Sequence, residues 1–244
     1  MLPPDARLFG LIPAAGHGSR MGAALPKQYL VLQGRTVAEH TVSRLLACER
    51  LVRLVVVVAP DDRRWPELPV ATAPRVSTVP GGATRAESVL AGLQALTDAA
   101  DDDWVLVHDM ARPCLRLADI EKLLQACGPQ GAILALPVAD TIKQADAAGQ
   151  ISATLPRSEI WRALTPQLFP IGALRHALEQ ALSKSQAITD EASALELIGW
   201  RPTLVEGHAD NIKVTWPADL PLAGFFLQQQ HQQQQESECW QPSV

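Results

Sequence analysis

The sequence predicts an α/β fold built on a mainly parallel, doubly wound sheet. Three observations carry that prediction. Short apolar runs such as residues 54–59 (LVVVVA) are continuous rather than alternating, as in strands covered on both faces. From Leu8 to Pro137 such runs alternate with amphipathic stretches long enough for helices. Glycine turns follow two of the runs, at Gly16 and Gly18 and at Gly81 and Gly82. Right-handed crossovers bring the carboxyl ends of parallel strands to one edge, where ligands bind. Both turns, and the polar run HDMARP at His108 to Pro113, are expected to meet there.

Taken in order, residues 8–12 read as a buried first strand and residues 36–49 as a helix. The run 54–59 is closed by Pro60 and two aspartates, and residues 76–79 form a short strand before Pro80-Gly81-Gly82. A helix over 84–96 places Val89, Leu90, Leu93 and Leu96 on one face. Residues 104–107 are a strand, 117–127 a helix and 131–137 a strand. The pattern then changes. Residues 138–156 hold two alternating segments around Ala147-Ala148-Gly149, a β-hairpin too polar to hold its own core. It is either a solvated surface hairpin or an arm that pairs with another subunit. Helical pieces are expected over 157–164, 171–182 and 190–198, the last with Thr189 as N-cap. Residues 203–206 and 212–215 read as short strands, and Pro217 opens a last helix ending near Leu227. The domain is drawn as 1–228. The glutamine-rich stretch 229–244 lacks periodicity and is expected to be disordered.

Composition narrows the function. The chain has 244 residues, 47% of them hydrophobic and 19% charged, which are globular values. A net charge of −5 argues against a general nucleic-acid or membrane surface. The four cysteines are widely spaced with no C-x-x-C pair, so neither a zinc site nor a disulfide framework is indicated, and a reducing, cytoplasmic setting fits. No signal peptide and no membrane span is read.

The stretch LIPAAGHGSRMGAALPKQ, from Leu11 to Gln28, carries the chemistry. Small residues expose backbone N–H groups, and Arg20 and Lys27 follow with no acid beside them, which suits a phosphate cradle. Two better-known phosphate motifs do not fit. Gly22 comes one residue late for G-x-G-x-x-G, and Lys27 lacks the flanking residues of G-K-[ST].

The string G-x-G-x-R-M-G followed by PKQ resembles the signature loop of sugar-phosphate nucleotidyltransferases. The ending PKQY is similar to the 2-C-methyl-D-erythritol 4-phosphate cytidylyltransferase family. Further matching segments follow in order: GGATRAESV from Gly81, HDMARP from His108, DTIK from Asp140, ALTPQ from Ala163, TDEA from Thr189 and DNIKVT from Asp210. The resemblance implies a Rossmann-like sheet of the nucleotide-diphospho-sugar transferase type. It implies a reaction of CTP with 2-C-methyl-D-erythritol 4-phosphate that releases pyrophosphate. Arg20, Lys27, Arg157 and Lys213 match the family's catalytic residues. Ala14, Ala15, Gly16, Gly18, Gly82, Arg85, Ser88, Asp109 and Met110 are expected around the nucleotide. Asp109, Arg112, Thr141, Arg157, Thr165, Thr189 and Lys213 are expected around the second substrate. Mg²⁺ or another divalent cation is expected on the CTP phosphates, with no firm ligand from the protein. The arm, by the same resemblance, reaches across a homodimer and brings Arg157 to the neighbour's pocket. Met110 and Ala83 depart from the residues that relatives usually carry. Two rivals stand beside this reading: a cytidylyltransferase for another polyol phosphate such as ribitol 5-phosphate, and a nucleotide-binding regulator without turnover.

Overall fold

The computed structural model describes residues 1–16 and 25–239, and every count or absence below is of those residues. Strand β1 (Leu8–Pro13) leads towards a small antiparallel ribbon, β2 (Val31–Leu32) with β3 (Arg35–Thr36). Helix α1 (Val37–Leu46), strand β4 (Leu51–Val58), strand β5 (Val76–Pro80) and helix α2 (Arg85–Gln94) follow. Next come β6 (Trp104–Val107), α3 (Leu117–Ala126), β7 (Ala132–Pro137) and the hairpin β8 (Ile142–Ala145) with β9 (Ile151–Leu155). The chain continues through β10 (Trp161–Pro170), α4 (Ile171–Ser183), α5 (Glu191–Glu196), β11 (Thr203–Glu206) and α6 (Asp219–Cys239).

A seven-stranded sheet in the order β11-β7-β10-β6-β1-β4-β5 forms the centre. Along β4 the side chains of Leu54, Val56 and Val58 enter one core layer and those of Val55 and Val57 the other. That division is why the run reads as continuously apolar: a period of two is hidden when both faces are covered. Each fully buried side chain of this size contributes roughly 1.5–3 kcal/mol. Thr36 and Glu39 cap α1, and Thr84 and Glu87 cap α2, each with a reciprocal capping box. Gly92 lets α2 lie against the sheet, because a Cβ there would come 2.6 Å from Leu11 and 2.9 Å from Val57.

The expectations for the first half hold to within a few residues, and four later ones need correction. The helix expected over 157–164 is a single 3-10 turn, Arg157–Glu159, followed by β10. β10 pairs antiparallel with both β6 and β7, filling a slot in the middle of the sheet that its mixed sequence does not announce. Residues 212–215 are not a strand; Val214 N–H instead donates to Ala111 O, holding that loop against the sheet edge. The N-cap of α5 is Asp190 rather than Thr189, since the Asp190 carboxylate accepts the Ser193 N–H.

The fourth correction concerns the glutamine-rich stretch, which continues α6 to Cys239 rather than being disordered from residue 229. Glutamine has good helix propensity, and Gln230 is buried. Its side-chain amide donates to Cys114 O at 2.8 Å and to Asp210 Oδ2 at 2.9 Å, and its oxygen accepts from Arg44 at 3.0 Å. Gln233 adds a further polar contact, its oxygen accepting from Arg116 Nη1 at 3.0 Å, so the stretch is held by polar side-chain contacts. The hairpin expected over 138–156 is present as β8 and β9, and its residues are largely exposed. Asp146 Oδ1 accepts from the N–H groups of Ala148 and Gln150, closing its turn.

Candidate active site

The two glycine turns meet. Ala14 N–H donates to Val57 O, which carries the first turn over the end of β4. Gly81 lies so near it that a Cβ would sit 2.6 Å from that of Ala15 and 2.8 Å from Ser88 Oγ. Between them opens a cavity of about 230 Å³, lined on one side by Ala14, Ala15, Gly16 and Lys27 and on the other by Gly82, Thr84, Arg85 and Ser88. Met110 forms part of its wall and is also packed in the core, so the departure at this position does both jobs. Its carbonyl accepts from Thr41 Oγ1 at 2.8 Å. Lys27 Nζ donates to Val214 O at 2.9 Å, which draws the 210–215 loop over the same lobe. Gly18 and Arg20, with His17, lie outside the described residues.

Asp109, just past the end of β6, forms the floor. Its Oδ1 accepts from Arg85 Nη2 at 3.2 Å, and its Oδ2 from Lys213 Nζ at 2.9 Å and Arg112 Nε at 3.3 Å. Burial alone would raise the Asp109 pKa. The charges of Arg85, Lys213 and Arg112 outweigh it and hold the carboxyl well below the usual range. Asp109 is therefore ionised at any pH at which the protein works.

On the far side of Asp109, Arg85 and Lys213 lies a second lobe of about 270 Å³, which Arg112, Thr165, Gln167, Thr189 and Asp190 also line. Thr165 reaches it from the irregularity in β10 between Ala163 and Gln167. Its hydroxyl accepts the Asp109 N–H at 3.0 Å and lies 3.0 Å from His108 Nδ1. Because Arg112 O can only accept, the neutral His108 ring carries its proton on Nε2, 3.1 Å from that carbonyl, and its Nδ1 accepts from the Thr165 hydroxyl. Desolvation, which outweighs its hydrogen bonds, lowers the His108 pKa to about 4. Asn211 completes the set, donating from Nδ2 to Thr165 O while its backbone carbonyl accepts from Arg112 Nη1.

Most residues expected around the substrates thus converge on one two-lobed cleft. Thr141 and Arg157 do not line it: they belong to the hairpin region, and Arg157 is exposed, donating to Ala139 O at 2.5 Å. Sequence reasoning singled out neither His108, Gln167 nor Glu191, although each lies within a segment that it had marked. Gln167 Oε1 accepts the Ala192 N–H, and its amide donates to Asp190 Oδ2, fixing the first turn of α5 to β10.

The family model for 2-C-methyl-D-erythritol 4-phosphate cytidylyltransferase matches residues 8–229. The chain belongs to that family. A cytidylyltransferase of this name from Aeromonas hydrophila is 53% identical over 228 residues, covering 93% of this chain and 92% of its own. One from Shewanella amazonensis is 52% identical over 227 residues, covering 92% and 95%. Among solved structures, a 4-diphosphocytidyl-2C-methyl-D-erythritol synthase superposes with a TM-score of 0.79 at 41% identity, covering 91% of this chain and 99% of that one. The Francisella tularensis cytidylyltransferase gives 0.79 at 33% identity, covering 91% and 100%. The family's match therefore spans the residues of both lobes and the hairpin.

Proposed function

We infer that the chain transfers the cytidylyl group of CTP to 2-C-methyl-D-erythritol 4-phosphate, in isoprenoid precursor synthesis. The observation that carries this, beyond family membership, is the cleft itself. A backbone-walled lobe and a hydroxyl- and cation-lined lobe share one floor, Asp109 with Arg85 and Lys213. CTP would occupy the first lobe, its triphosphate at the Ala14–Gly16 end and its base and ribose towards Gly82, Arg85 and Ser88. The sugar phosphate would occupy the second, its hydroxyls met by Thr165 and Thr189 and its anion by Arg112 and Lys213.

In the reaction a phosphate oxygen of the sugar phosphate attacks the α-phosphorus of CTP. The bond to the bridging oxygen breaks, and pyrophosphate leaves with its electron pair. That nucleophile is already anionic, so no general base is required. What accelerates the step is alignment of two repelling anions and stabilisation of charge on the α-phosphate oxygens, roles assigned to Lys27 and Arg20. Lys213, held by Asp109, keeps its ammonium between the lobes.

A divalent cation, Mg²⁺ or another, belongs to this reading. Asp109 is the one carboxylate among the described residues lining the nucleotide lobe, and three side-chain cations engage its oxygens. The metal would be carried chiefly by phosphate oxygens and water, supplying further charge neutralisation. The working unit is proposed as a homodimer in which the exposed hairpin brings Thr141 and Arg157 to the neighbouring second lobe. The compartment is proposed as the cytoplasm, where the buried free thiols of Cys48, Cys114 and Cys127 stay reduced. No described helix is long and apolar enough to cross a membrane.

The deciding experiment is pyrophosphate release with CTP against a panel of polyol phosphates. The methylerythritol phosphate should exceed ribitol 5-phosphate in kcat/KM by about 100-fold or more, since the lobe is lined by groups that are left unpaired by a wrong polyol. Equal rates would move the assignment to another polyol phosphate, and absence of turnover with retained CTP binding would favour the regulator.

A further inference from the structure

Glu191 is the most deeply buried acid near the cleft and plays no part in the reaction described above. It is the first residue of α5, its carboxylate 1% exposed, and Gln167 secures the turn that presents it. Both carboxylate oxygens face Arg85: Oε1 accepts from Nη1, and Oε2 from Nη2 at 3.1 Å. The same Nη2 reaches Asp109 Oδ1. Arg85 lines both lobes, whereas Ala14, Ala15 and Gly16 line only the first. An arginine without that counter-charge, standing at the junction, would attract whichever phosphate came near it, of either substrate.

We propose that Glu191 is a positioning and specificity-determining residue for the nucleotide, whose buried carboxylate holds and neutralises the Arg85 guanidinium. Arg85 then meets the uncharged part of the nucleotide, and the polyphosphate is left to the Ala14–Gly16 end of the lobe. This rests on the cytidylyltransferase reading, with CTP in the first lobe. The bidentate geometry supplies the second half of the role: two parallel bonds fix the plane of the guanidinium, which a single contact to Asp109 would not. Without Glu191, Arg85, Arg112 and Lys213 would share one carboxylate, and the junction would become an anion trap in competition with the productive register of the triphosphate.

The test is calorimetric binding of inorganic pyrophosphate, which needs no turnover and so stands apart from the assignment of the reaction. Glu191→Gln keeps the shape of the side chain and removes its charge. It should tighten pyrophosphate binding about tenfold, the effect of one added unit charge on a polyanion across partly solvated space. With CTP and the sugar phosphate it should lower kcat without raising the KM for CTP. The double variant Arg85→Gln with Glu191→Gln removes both members of the pair and should bring pyrophosphate affinity back to within about twofold of the wild type. Unchanged pyrophosphate affinity in Glu191→Gln, or a raised KM for CTP without tighter pyrophosphate binding, would reduce Glu191 to a packing role. If Glu191→Gln does not fold, the double variant decides alone. A loss of about tenfold or more in its pyrophosphate affinity would make Arg85 a phosphate ligand and overturn the proposal. Failure of the wild type to release pyrophosphate from CTP would bear on the proposed reaction instead.

Discussion

The first lobe of the cleft is walled by backbone and short side chains, with Ala14 to Gly16 facing Gly82 to Thr84. The second is walled chiefly by threonines, a glutamine, two aspartates, two arginines and a lysine, drawn from β10, α2, the loop before α5, the turn after β6 and the 210–215 loop. A lobe made of backbone can approach a polyphosphate closely and aligns it with little side-chain entropy to lose. A lobe made of side chains can distinguish one polyol from another, because each hydroxyl it fails to pair leaves a buried polar group wanting. Rate should therefore be governed from the first lobe and selectivity from the second, with Asp109 belonging to both.

The largest expected departure comes from the first lobe. Lys27→Ala should lower kcat about 10²–10³-fold, roughly 3–4 kcal/mol, with a much smaller change in CTP affinity. Steady-state kinetics beside equilibrium CTP binding separate the two quantities. Intact turnover with weakened CTP binding would return Lys27 to ground-state binding and erase the contrast between the lobes.

The junction can be probed by pH. His108 has a folded pKa of about 4, below its ordinary value, so the folded state binds fewer protons than the unfolded state between about pH 6.5 and 4. The stability that His108 contributes is complete above that window and is lost as pH falls through it. The loss should be about 3 kcal/mol at most. Denaturant midpoints of the wild type and His108→Gln should converge as pH falls from 6.5 to 4. Parallel curves would mean that the imidazole is not neutral and buried in solution.

For the second lobe, Arg157→Ala should raise the KM for the sugar phosphate about tenfold and leave CTP binding in place. Mixed with Lys27→Ala subunits it should recover activity towards half the wild-type value per mixed dimer, because one site then carries both lesions and the other neither. No recovery after confirmed subunit exchange would confine Arg157 to its own chain.

The smallest effect concerns the last helix. Gln230→Ala leaves Asp210, Arg44 and the Cys114 carbonyl with one partner fewer and should cost about 1–2 kcal/mol, a few degrees in Tm. Removing residues 235–244 should change Tm by less than a degree or so, since residues 235 and 236 are exposed. Equal losses from the two changes would spread the anchoring along the helix instead of placing it on Gln230.

The first lobe was far more legible in the sequence than the second, for a physical reason. A phosphate cradle is a local object: consecutive small residues after an apolar run, readable as a string. The Gly16 and Gly81 turns announced themselves that way, and the parallel strands behind them did so through continuous apolar runs. The second lobe is assembled from Arg112, Thr165, Thr189 and Lys213, none of which differs from a surface residue when read alone. The first four residues of its supporting strand, β10, fall within the stretch expected to be helical, because WRALTPQLFP does not alternate: residues 164–169 are buried on both faces of the strand. Gln230 escaped notice because burial of a single polar side chain among identical exposed ones leaves no mark on composition.

The hairpin runs through one 3-10 turn directly into β10, and β10 carries Thr165 at the irregularity where its pairing with β7 shifts register. The backbone between the two is therefore short, with the arm at one end and the second lobe at the other. Thr165, at the far end of that segment, is the hydroxyl that holds the Asp109 N–H. In the proposed dimer such continuity would make the arm a tuning handle for substrate choice as well as an attachment point, so that hairpin residues that never touch the substrate could retune the second lobe.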